Sequence, residues 1–178
     1  LYRLVGSEMC IRDRSMSELT DADRRRVAEL LGREPAGAYE IVVRNELGDP
    51  VVLCNAPLLE SGRPMPTRYW LVGDHERRIV GRIESDGGVR RSEAEIPAEE
   101  IEAAHERYRL ERDAAIPPDH DGPRPSAGVG GTRRGVKCLH AHYAWYLAGG
   151  DDPVGRWVAE RFAAYEDRDD LREEHHRD

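Results

Sequence analysis

Tyr39-Glu40-Ile41-Val42-Val43-Arg44-Asn45-Glu46-Leu47-Gly48-Asp49-Pro50-Val51-Val52-Leu53-Cys54 is the stretch on which the fold class turns. Its two ends are rich in β-branched residues. Between them, Asn45 to Pro50 gathers the Asn, Gly, Asp and Pro that tight turns use. The stretch predicts a β-hairpin. A third strand is expected at Arg68 to Val72, after a proline- and glycine-rich connection from Pro57 to Thr67.

The flanks read as helices. Thr20 with Asp23 approximates a capping box, and Val27, Ala28, Leu30 and Leu31 form one apolar face before Gly32. Ile79, Val80 and Ile83 suit a short helix, and Ile96 to Ile116 a longer, heavily charged one. Pro117 to Ser126 is an irregular loop. Thr132 is placed to cap a helix running to about Ala148, and Asp151 or Asp152 a last helix from Pro153. The expected class is α+β: a small antiparallel sheet of about three strands packed by four to five helices.

At 178 residues the chain is about one domain long, expected over residues 16–165 with a charged C-terminal tail over 166–178. A formal net charge of -8 argues against nucleic acid as a partner, and no apolar run is long enough to span a bilayer. Residues 1–15 contain no apolar signal-peptide core. Val5 to Arg14 resembles a translated sequencing-adapter read-through, which makes Met16 the expected start and 1–15 a non-native leader, so Cys10 is left out of the chemistry. Cys54 and Cys138 remain, read as free thiols in a reducing, cytoplasmic setting. His175-His176 are adjacent and share no helix face, so they read as part of the solvated tail.

The chemistry concentrates between Gly128 and His142. Gly128-Val129-Gly130-Gly131-Thr132-Arg133-Arg134-Gly135-Val136-Lys137 sets a glycine-rich loop at the expected helix start, with three cations in the opening turns. A helix N-terminus is itself partly positive, so these cations ask for a negative partner. One reading is a phosphate-like or other small anionic ligand held by the backbone at Gly130 and Gly131 and by Arg133, Arg134 and Lys137. The other supplies the charge from Asp119, Asp121, Asp151 or Asp152. The loop is not a Walker motif, because the Gly-Lys-Ser/Thr ending is absent.

Cys138-Leu139-His140-Ala141-His142 follows. On a continuous helix Cys138 and His142 share a face at i, i+4, as candidate nucleophile and base, or as two zinc ligands completed by Cys54, His120 or an aspartate. His140 then points away from that pair, toward Lys137, and joins the ligand-binding set. Arg68, at the approach to the third strand, is a further candidate for reaching the anion. Plain packing competes with all of this, since Cys138, His142, Trp145 and Tyr146 also form a core stripe. The sequence names no cofactor.

Two segments carry a resemblance: Pro64-Met65-Pro66-Thr67-Arg68-Tyr69-Trp70-Leu71 and, more specifically, Arg134-Gly135-Val136-Lys137-Cys138-Leu139-His140-Ala141-His142 with Leu147-Ala148. Over Met16 to Tyr165 the chain resembles the bacterial domain-of-unknown-function family 501. The resemblance implies a cytosolic protein, thought of alongside septum-formation and polyphosphate-related neighbours, and brings no established activity or ligand. Some relatives carry hairpin cysteines that Cys54 does not match, which weakens a zinc site using that thiol. Three functions stand open: an anion-binding protein, with or without Cys/His chemistry; a non-enzymatic interaction protein with a protein partner in cell division; and a zinc-binding protein.

Overall fold

The computed structural model describes residues 19–175, with side chains to residue 168. The leader reading, Met16, Cys10 and the His175-His176 pair lie outside what is described. The elements run α1 (Asp21–Leu31), β1 (Tyr39–Arg44), β2 (Pro50–Asn55), β3 (Tyr69–Leu71), α2 (Asp74–Ser85), α3 (Gly88–Glu95), α4 (Ala98–Ala114), α5 (Leu139–Leu147) and α6 (Pro153–His175), with a 3-10 turn at Val129–Gly131. This is the α+β class that the hairpin implied, with six α-helices among the described residues.

The sheet has the order β1-β2-β3 and is antiparallel throughout. The central strand pairs Leu53 with Ile41 on one side and with Trp70 on the other. Side chains alternate faces along a strand. Leu53, Ile41 and Trp70 accordingly meet Val27 and Leu30 of α1, while Val52, Tyr69 and Leu71 join the larger core with Ile79, Val80, Ile83 and Leu139. Each such side chain, fully buried, is worth about 1.5–3 kcal/mol of transfer free energy. The hairpin is thus clamped between one helix and a helical layer.

α1 begins where the capping pattern placed it: Thr20 and Asp23 exchange reciprocal bonds, and Gly32 closes the helix in the left-handed region. α3 was not expected. Its inward residues are Gly88 and Ser92, so no apolar stripe announces it. One expectation is corrected by the backbone: the helix read from Thr132 starts at Leu139, because Gly135, inside the expected helix, takes positive φ and breaks its propagation. α6 runs on through the charged residues from 166 to His175.

α5 and α6 pack against each other, and their close approach depends on Gly155. A Cβ there would lie 2.3 Å from Cβ of Tyr146 and 2.7 Å from the His142 carbonyl oxygen. Gly155→Ala is therefore expected to destabilise the fold by about 1–3 kcal/mol through overpacking, outweighing the better helix propensity of alanine. Urea denaturation with an unchanged m-value is the check.

Candidate metal centre

The turn from Gly135 into α5 is held by two carboxylates from other parts of the chain. Val136 donates its N–H to Glu93 Oε1 at 2.8 Å, and Leu139, the first residue of α5, donates to Glu84 Oε1 at 2.6 Å. The negative charge expected at this helix start is therefore supplied internally, from α2 and α3 rather than from Asp119, Asp121, Asp151 or Asp152. Gly130 and Gly131 form a left-handed turn and open no helix, so they present no helix N-terminus to an anion.

Starting the helix at Leu139 changes the phase on which the Cys138–His142 pairing rested. Cys138 sits at the N-cap in extended backbone and makes no side-chain cap bond. Its Sγ lies 3.7 Å from Nδ1 of His140, and that nitrogen lies 3.2 Å from Glu84 Oε1. Among the described residues, Glu84, Cys138 and His140 are the group of potential metal ligands that converges, with all three donor atoms within 4.8 Å of one another. Cys54, His120 and the aspartates are not part of it.

α2 builds the other half of this site. Arg77, Gly81 and Glu84 follow the i, i+4, i+7 spacing that keeps them on one helix face. Glu84 brings the carboxylate, and the Arg77 carbonyl accepts from His140 Nε2 at 3.1 Å. Gly81 faces the ring, its Cβ position standing at an ordinary contact distance of 3.9 Å from Nε2. A carbonyl can only accept, so Nε2 carries a hydrogen and Nδ1 is the nitrogen turned toward Cys138 and Glu84. Burial opposes charge on this imidazole, but its bonds to Cys138 and Glu84 outweigh that and push its pKa up to about 10. Burial likewise pushes Glu84 up, and the bonds from His140 and Leu139 more than reverse it, leaving the carboxyl below its usual range.

The site opens onto a cavity of about 420 Å³. Leu31, Tyr69, Trp70, Leu71 and Ala141 make its apolar wall, and all three residues of β3 contribute. Arg33, Arg77, Lys137, Cys138 and His140 supply the polar lining, with Thr67 and Gly130 at the rim. Of the residues expected to gather on an anion, Gly130, Lys137 and His140 therefore do share a pocket with Cys138. Gly131 stands beside it, its Cβ position 3.9 Å from Lys137 Nζ. Arg133 is exposed and turns to Ser126, Arg134 is exposed outside the lining, and Arg68 is committed elsewhere. Arg68 donates to the Asn55 carbonyl at 3.1 Å and lies 3.8 Å from Glu111, in a cluster with Tyr69, Tyr108 and Trp145.

His142 is separated from Cys138 and wholly buried. Its Nδ1 donates to Asp152 Oδ2 at 2.7 Å, while Oδ1 of Asp152 accepts from Val154 and Gly155 and caps α6. Its ring centroid lies 5.7 Å from that of His105. His142 is therefore corrected from candidate base to core residue. His105 has both nitrogens engaged: Nδ1 accepts from Val129 N–H at 3.0 Å and Nε2 donates to the Gly135 carbonyl at 2.9 Å, which ties the glycine loop to α4.

Burial lowers the His105 pKa, helped by His142 and opposed by the Gly135 bond, Asp152 and Glu102. A histidine whose folded pKa lies below its unfolded value binds its proton more readily unfolded. Its contribution to stability is complete above about pH 6.5 and is lost as the pH falls below that. The difference in unfolding free energy between the parent chain and His105→Gln, from urea denaturation at pH 7.5 and 5.5, is expected to shrink with acid by up to about 1.4 kcal/mol per pH unit. His140, whose pKa is raised, adds the opposite slope to both chains and cancels in the difference.

A family model described as protein of unknown function (DUF501) matches residues 41–160, and the chain belongs to that family. No curated protein and no solved structure matches it. The matched span contains β2 and β3, the α2 face and the whole Glu84, Cys138 and His140 group. Among the described residues no helix is long and apolar enough to cross a membrane.

Proposed function

We propose that this family member binds a divalent transition metal, zinc by its donor set, through Glu84 Oε1, Cys138 Sγ and His140 Nδ1, with the fourth position facing the pocket. The convergence of those three atoms carries the reading. Tetrahedral zinc with bonds of about 2.0–2.3 Å separates its ligand atoms by roughly 3.3–3.8 Å. The sulfur-to-nitrogen distance of 3.7 Å and the nitrogen-to-oxygen distance of 3.2 Å suit that geometry. Thiolate and imidazole favour zinc over magnesium or calcium. The Arg77 carbonyl on Nε2 fixes the tautomer that a ligating histidine needs. Three protein ligands and one open position is the pattern of reactive rather than purely structural zinc. The interaction-protein reading has less support, since the exposed large hydrophobics among the described residues, Leu47 and Leu110, stand on a hairpin turn and on α4.

Metal analysis of protein purified under reducing conditions tests the proposal. One zinc per chain is expected, removable by chelator, with cobalt substitution giving a thiolate-to-metal charge-transfer band that Cys138→Ala abolishes. Absence of stoichiometric metal, or unchanged metal content in Cys138→Ala and His140→Ala, overturns it. One observation favours a second reading: the Cys138 and His140 contact, with the ring oriented by Arg77, also suits a metal-free nucleophilic thiolate held by an imidazolium. That reading expects rapid alkylation of Cys138 by iodoacetamide in metal-free protein, slowed by His140→Ala.

A further inference from the structure

Three cations face the cavity, and they differ in how they are committed. Arg33 lies over the Trp70 ring at 5.3 Å and donates to the Glu34 carbonyl. Arg77 donates to the Leu30 carbonyl at 3.0 Å and lies 3.8 Å from Asp74. Lys137 is exposed, and among the described residues it has no hydrogen bond or ion pair. It immediately precedes Cys138 in the chain, and its ammonium reaches the turn at Gly131. No carboxylate stands among the lining residues. The rest of the lining includes apolar Leu31, Trp70 and Leu71.

A lining that combines positive charge with apolar side chains selects a molecule with both characters. We infer that the pocket takes a small organic anion, its charged head between Lys137 and the open metal position and its apolar body against Trp70 and Leu31. The inference rests on the metal reading for the position of the head group. Lys137 is a binding residue here, and it supplies the charge that the glycine loop was expected to supply through Arg133 and Arg134.

The test is calorimetric titration of the zinc-loaded chain with phenyl phosphate and benzoate, against inorganic phosphate and phenol as controls. At least one organic anion is expected to bind, inorganic phosphate more weakly and phenol not at all. Lys137→Ala should weaken the binding by about tenfold or more, the scale of one lost charged hydrogen bond, with Lys137→Arg restoring part of it. Lys137 is exposed, so its variants are expected to fold, and an unchanged far-ultraviolet spectrum confirms that. Phenol binding as well as the anions, or Lys137→Ala binding like the parent chain, overturns the inference. Stoichiometric zinc with no organic anion bound also overturns it and leaves the metal reading intact. Lysine-dependent binding in a chain that takes up no zinc supports the anion pocket and removes the metal.

Discussion

Cys138→Ala is expected to lower zinc affinity at least a hundredfold while barely moving the urea midpoint of the metal-free protein. The two halves of that result have separate causes. Cys138 is partly exposed and makes no cap bond, so truncating it opens no cavity in the core and strands no buried donor. As a metal ligand, however, it is one of three. Loss of groups that merely orient ligands costs about 10–100-fold in affinity, which sets a lower bound for losing a ligand itself. Competition with a chromophoric chelator measures the first half and urea denaturation in excess chelator the second. A Cys138→Ala protein that binds zinc like the parent, or one that fails to fold without metal, contradicts the assignment of this cysteine.

Asp152→Ala is expected to behave in the opposite way, costing about 3–5 kcal/mol of stability and leaving zinc affinity nearly unchanged. Both members of the Asp152 and His142 pair are fully buried, and removing one partner leaves the other's polar atom without a bond or access to water. The same carboxylate caps α6 through Val154 and Gly155, a contribution that by itself is worth about 0.5–2 kcal/mol. No described side chain of α6 lines the cavity, so the loss should appear in the denaturation midpoint and not in a metal titration. A mild effect, within about 1 kcal/mol, contradicts this account of the pair.

The contrast between these variants shows what could be read in the sequence and what could not. The hairpin was legible because two β-branched runs flank the turn residues Asn45 to Pro50, and α1 because its capping box is local. α3 was not, since Gly88 and Ser92 give no periodic signal. The position of the site was legible, because Lys137 to His142 crowds a lysine, a thiol and two imidazoles into little more than one helical turn. Its pairing was not. That depended on where α5 begins: Gly135 breaks the expected helix, and α5 opens at Leu139, whose N–H meets Glu84, 55 residues away in sequence, a tertiary contact invisible to any local rule. Moving the start from Thr132 to Leu139 exchanged the histidines: His140, assigned a place apart from the thiol, meets Cys138, and His142 goes into the core. Arg77, Gly81 and Glu84 did leave a trace, a glycine inside a helix flanked at helical spacing by an arginine and an acid.

Glu84 reaching across those 55 residues also gives the metal a mechanical consequence. An ion joining Glu84 to Cys138 and His140 closes a long loop of chain, as a disulfide would, and in the chain-entropy picture a closure of that length restricts the unfolded ensemble by on the order of 4 kcal/mol. Loading should therefore raise the thermal midpoint and slow opening between α2 and α5. The zinc would serve as a clasp on the very seam that forms the cavity, coupling the pocket's shape to metal supply.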